Sequence, residues 1–312
     1  MISRTMRPVS PIRRTQAMGV AFRQAVPRGA DVWKAGLRDS ERRASMEIRL
    51  RTVFEDSHLR ITVRDAAGGR GIVAFTGIGS NLGSLPQEEF VATLAEMPDA
   101  GPIFFVVDKA RSWYNDVRED PASLINSALA HRNVAASVAI GNSMGGFGAI
   151  AYGPRIETCT RIVAFSPQYS VKADIVPFER RWRAERSAIA RWTVPTACGH
   201  PNAPDLVLVA GGRSARDLKH VELIRSNYGG RSTTLLAPLC DHNVPAALKR
   251  ASLLRETVEA LLLGPEDEIE RAGATLRSLE PAGRPAPSLL VWTRRLTMPI
   301  LPRRRPPPDR KR

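Results

Sequence analysis

Six short runs of apolar, β-prone residues recur through the middle of the chain: 71–76 (GIVAFT), 102–107 (PIFFVV), 135–140 (AASVAI), 161–165 (RIVAF), 205–210 (DLVLVA) and 232–237 (STTLLA). A strand with one face in water alternates polar and apolar residues, so runs this continuous must be covered on both faces, as in a parallel sheet. The segments between them read as helices. Residues 86–96 open with Pro and acids, which suit a helix N-terminus, and place Phe90, Leu94 and Met97 on one face. Residues 121–132, 145–152, 215–228 and 245–263 supply four more. Two alternating runs, 46–54 (MEIRLRTVF) and 58–64 (HLRITVR), precede the first buried run and predict an antiparallel hairpin at one edge. The expected fold class is therefore α/β, with a mostly parallel sheet of about eight strands and helices on both faces. The stretch 166–204 exceeds what a strand-to-helix connection needs, and it predicts an inserted lid carrying Tyr169, Phe178, Trp182 and Trp192.

The run 139–150 (AIGNSMGGFGAI) carries the chemistry. It holds G-x-S-x-G as Gly141, Asn142, Ser143, Met144 and Gly145, directly after an apolar strand and before a start of small residues suited to a helix. A serine at the tip of a sharp strand-to-helix turn needs small residues two positions to either side, because the strained backbone presses those positions on each other and on adjacent strands. Gly146 and Gly148 would let the next helix lie close to the sheet. The competing reading is a Gly-rich helix start that only cradles an anion.

A nucleophilic serine needs a base, and imidazole suits that role near neutrality. Of His58, His131, His200, His220 and His242, the last lies just after the final predicted strand, at the sheet edge where the serine turn should also lie. His220, on a predicted helix, is second. The third member should be a carboxylate that fixes the imidazole tautomer. Asp217 keeps the order Ser, Asp, His, although an acid two or three residues nearer the strand end, where Arg213 and Ser214 stand, would be expected; Asp174 is the fallback. Asp205 begins its strand at the wrong edge, and Asp241 adjoins the histidine as a loop residue. For the oxyanion, one donor is the amide of Met144, and the second falls in the glycine loop after the third strand, at Ile78 between Gly77, Gly79 and Ser80. Read as a dinucleotide turn, that loop has the wrong glycine spacing and no following acid except Asp108.

The strand order, GNSMGGFGAI, the glycine loop and the late histidine in CDHNVP together resemble the α/β-hydrolase superfamily over residues 47–263, and the elbow is similar to the GxSMGG form of esterases. The resemblance implies an α/β-hydrolase fold, Ser143 as nucleophile, His242 as base, an acyl-enzyme intermediate and a small acyl ester or thioester as substrate. The same machinery would serve an acyltransferase, and a non-catalytic binding protein could retain the fold.

Composition bounds the rest. The chain of 312 residues carries a formal net charge of +15, with ten basic and three acidic residues in 1–46 and eleven and two in 271–312. The excess thus lies in the two ends, while 47–270 is nearly neutral. Residues 1–46 read as a basic, poorly ordered segment and 264–312 as a basic, Pro-rich extension. Weak contact with an anionic membrane or nucleic acid is expected of these ends alone. An apolar stretch at 288–301 stands beside the last basic run as either a docking element or a surface anchor. No stretch approaches 18 uncharged apolar residues, and no leader pattern opens the chain, so a cytoplasmic location is expected. Cys159, Cys198 and Cys240 have no ligand spacing, so neither a metal nor a cofactor is expected.

Overall fold

The computed structural model describes residues 48–67, 69–79, 87–97, 100–201 and 203–279. Residues 1–47 and 280–312, which hold most of the basic excess and the apolar stretch 288–301, lie outside the described residues. Eight strands form one sheet: β1 (Arg51–Glu55), β2 (Leu59–Arg64), β3 (Arg70–Phe75), β4 (Ala100–Asp108), β5 (Ala136–Asn142), β6 (Cys159–Phe165), β7 (Asp205–Gly211) and β8 (Ser232–Ala237). Their spatial order is β1-β2-β4-β3-β5-β6-β7-β8. The pairs β1/β2 and β2/β4 are antiparallel, and every other pair is parallel.

Five of the six apolar runs are buried on both faces because alternate residues enter different layers; the sixth, β8, lies at the sheet edge and leaves Thr233 and Leu236 exposed. Val73, Phe75, Phe104, Val106, Ile162 and Leu208 pack on one side with helices α2 (Pro121–Ala130), α3 (Met144–Tyr152) and α5 (Ala215–Asn227). Ile72, Ala74, Ile103, Phe105, Val163 and Val209 pack on the other with α1 (Val91–Ala95), α6 (Val244–Arg250), α7 (Leu254–Leu263) and α8 (Glu266–Ser278). A fourth helix in chain order, α4 (Arg183–Ala188), lies in the connection between β6 and β7. Among the described residues no helix is long and apolar enough to cross a membrane.

Three further expectations need correction. Of the helix expected at 86–96 the described residues form only α1, and neither acid serves its N-terminus: Glu88 binds Arg60 at 3.2 Å, and Glu89 accepts from the amide of Gly77. The helix expected at 245–263 is two helices, since Ser252 turns left-handed (φ 59°) and the amide of Leu253 closes back on the carbonyl of Leu248. The packed domain also runs past residue 263, because α8 buries Ile269, Ala272 and Leu276 against α7 and β8.

Candidate active site

Strand β5 ends at Asn142, α3 begins at Met144, and Ser143 between them holds φ 54° and ψ −117°. That conformation is strained for a residue with a Cβ. Its surroundings hold it in place: the Ser143 amide donates to the carbonyl of Phe165 on β6 at 2.8 Å. A Cβ at Gly141 would lie 2.1 Å from the carbonyl oxygen of Gly145, and one at Gly145 would lie 2.1 Å from the carbonyl oxygen of Phe75 on β3. The two flanking positions therefore press on each other and on the neighbouring strand, and only glycine fits either.

His242 follows β8, in the turn before α6, whose N-cap Asn243 accepts from the amide of Ala246. Its Nε2 lies 2.9 Å from Ser143 Oγ and its Nδ1 2.8 Å from Asp217 Oδ2. A carboxylate only accepts, so Nδ1 carries the ring proton and the Nε2 lone pair faces the serine hydroxyl. Asp217 is fully buried in the first turn of α5, where Ser214 caps the helix by accepting from the Asp217 amide at 3.4 Å. No acid is needed nearer the strand end, because a helix starting four residues after β7 presents the carboxylate from its first turn. Burial works against the ionised form of Asp217, but the His242 hydrogen bond and the charge of Arg181 outweigh it, and the carboxyl lies below its ordinary range.

The structure thus brings Ser143, His242 and Asp217 into one hydrogen-bonded chain and leaves the other candidates apart. Asp174 is exposed and paired with Lys172. Asp205 pairs with Arg231 at the start of β7. His58 reaches the carbonyl of Asp116, and His200 that of Pro201. Asp108 is fully buried and accepts from the amides of Ala110, Ser112 and Tyr114, ordering a loop in which Arg111, Trp113 and Tyr114 have positive φ. Met144 opens α3, so its amide is among the first-turn donors with no acceptor inside the helix. Ile78 follows β3, its carbonyl engaged by Arg111 Nε at 2.9 Å; Ser80 lies outside the described residues.

Four more side chains surround this chain, and sequence reasoning missed all but His220, which it ranked second as the base. Gln168 Nε2 donates to Ser143 Oγ at 3.3 Å, and its own oxygen accepts from Trp113 Nε1 at 2.9 Å. Arg181 donates to Asp217 Oδ1 at 2.8 Å, and Glu179 and His220 lie behind it. Three of the four stand in the 166–204 connection, whose only regular element among the described residues is the short α4, so no periodic pattern marked them. That connection is fastened to the loop after β4: the amides of Ala190 and Arg191 donate to Asp116, and that of Val194 donates to Asn115. Trp182 packs on Trp113 and on His242, with ring centroids 5.4 and 5.7 Å apart.

No family model and no curated protein sequence matches the chain. Solved structures do resemble it. An acylaminoacyl peptidase from Pyrococcus horikoshii shares 12% identity with a TM-score of 0.52, over 74% of this chain and 44% of its own. An acylaminoacyl peptidase complexed with Z-Gly-Gly-Phe-chloromethyl ketone shares 12% identity with a TM-score of 0.51, over 72% of this chain and 43% of its own. This chain therefore spans less than half the length of either peptidase. The Francisella virulence factor BioJ shares 11% identity with a TM-score of 0.47, over 79% of this chain and 90% of its own. With its strand order and the turn at Ser143, the chain has the fold of the α/β-hydrolase superfamily.

Proposed function

We propose that the protein is a serine hydrolase that cleaves a small acyl ester or thioester. The observation that carries this reading is the unbroken path from Ser143 Oγ through His242 to the buried carboxylate of Asp217, with contacts of 2.9 and 2.8 Å. Ser143 Oγ adds to the substrate carbonyl carbon while its proton passes to His242 Nε2. Asp217 holds the ring proton on Nδ1 and balances the charge that forms on the imidazole. The oxyanion accepts from the amides of Met144 and Ile78. Collapse of this intermediate breaks the bond to the leaving oxygen or sulfur, which takes the proton from Nε2 and departs, leaving Ser143 acylated. Water then adds by the same route, releasing the acid and restoring the serine.

A fluorophosphonate probe tests the reading, with p-nitrophenyl acetate as a turnover substrate. Stoichiometric labelling on Ser143, and loss of both labelling and turnover in Ser143→Ala with an unchanged melting temperature, is the expected result. Turnover by that variant at the wild-type rate would overturn it.

A further inference from the structure

The triad acid has two oxygens, and only one serves His242. The other, Asp217 Oδ1, accepts from Arg181 NH2 at 2.8 Å. Arg181 comes from the connection between β6 and β7 and is held rigidly there. Its Nε and NH2 form a fork on Glu179, with contacts from 2.6 to 3.1 Å, and its guanidinium lies 4.4 Å from the Trp182 ring centroid. Glu179 is itself anchored. The amide of Tyr169 donates to His220 Nδ1 at 3.2 Å, which leaves the His220 proton on Nε2, and that nitrogen lies 3.1 Å from Glu179 Oε2. His220 stands three residues after Asp217, on the same face of α5.

Arg181 also approaches the base, with NH1 3.3 Å from His242 Nδ1. Nδ1 already donates its proton to Asp217 at the shorter distance, so two donors face each other there. The approach sets a fixed positive charge beside the ring, while the bond to Oδ1 fixes the carboxylate that orients it. The charged and titratable groups facing the guanidinium are Glu179, Asp217 and His242, with His220 behind Glu179 and Arg186 donating to the carbonyls of Glu179 and Arg181.

We infer that Arg181 is a positioning residue for the triad: it locks Asp217 in the orientation that holds His242 towards Ser143 and sets its charge between the two buried carboxylates and the ring. This rests on the hydrolase reading above. Because Glu179 and Asp217 are both buried, removing the cation leaves two neighbouring carboxylates without it, and their field favours protonation of the imidazole.

The test is the pH dependence of kcat/KM for p-nitrophenyl acetate in two variants, each melted to check folding, with fluorophosphonate labelling of the wild type as a control. Arg181→Met should move the acid limb of the profile upward by about one pH unit or more and lower kcat about tenfold, with KM within about twofold. Arg181→Lys keeps the charge but loses the fork, so the limb should stay in place while kcat falls several-fold. A limb unmoved in Arg181→Met overturns the inference, as does a lysine variant with wild-type kcat. Should Arg181→Met not fold, the lysine variant decides alone on its limb and kcat. Absence of labelling in the wild type would instead sink the hydrolase reading, and the inference with it.

Discussion

The side-chain amide of Gln168 donates to Ser143 Oγ at 3.3 Å and also to the carbonyl of Ser166 at 3.2 Å, while Trp113 holds the amide oxygen. Both ends of this fully buried amide are thus fixed, and it cannot turn away from Ser143. A donor placed there stabilises negative charge as Oγ gives up its proton. Gln168→Met, which keeps the volume and removes the donor, should lower kcat for p-nitrophenyl acetate by about tenfold with little change in KM. Trp113→Phe should produce a smaller drop in the same direction. A Gln168→Met enzyme with wild-type kcat would exclude this role.

His242 and His220 should respond to substitution in opposite ways. His242→Ala removes the group facing Ser143 and should abolish turnover, with little effect on melting because the side chain is partly exposed. His220→Ala leaves the buried carboxylate of Glu179 short of a partner. It should cost about 1–3 kcal/mol of stability, read as a lower melting temperature, while the folded fraction keeps measurable turnover. An inactive His220→Ala of normal stability would reverse the two roles.

The two candidate acids separate similarly. Asp217→Asn should cut kcat by several orders of magnitude, because an asparagine can present a donor to Nδ1 and set the wrong tautomer. Asp174→Asn only breaks an exposed pair with Lys172 and should leave kcat within about twofold. Equal losses in both variants would remove Asp217 from the triad.

Close packing of α3 on the sheet sets a third contrast. A Cβ at Gly148 would lie 2.5 Å from Tyr114 Cε2 and 3.0 Å from Phe75 Cδ1. Helix propensity favours alanine over glycine by about 1 kcal/mol, while overpacking a tight core costs about 1–3 kcal/mol. Gly148→Ala should therefore be destabilised overall, and Gly145→Ala, which meets the backbone of Phe75, more severely. Denaturant melts of both variants check this order.

Glu89 gives a pH dependence of stability. Burial pushes its carboxyl up to about 7, against the pull of the Gly77 amide. A carboxyl raised in the folded state contributes most below its ordinary value of 4.5, and that contribution is lost as pH rises towards 7. Glu89→Gln should therefore gain on the wild type across this window, by as much as about 3 kcal/mol above it, in thermal melts taken from pH 4 to 8. A gain independent of pH would show that Glu89 ionises normally.

Whatever depends on neighbours along the chain was legible in the sequence. Five of the six apolar runs declared strands buried on both faces; the sixth, β8, has its Leu236 exposed at the sheet edge. The glycines around Ser143 declared a strained turn, because the same few residues create the crowding and relieve it. His242 was legible from its place after the last strand, since strand order fixes which loops share an edge. Tertiary structure alone decided how that edge is completed. Asp217 reaches His242 from a helix turn rather than the strand end, a shift of a few residues that no local pattern specifies. Arg181, Glu179 and Gln168 belong to an irregular connection with no period to read, and they meet partners 36, 41 and 25 residues away in sequence. Their roles arise only where burial removes water and makes each charge depend on the partner that folding delivers.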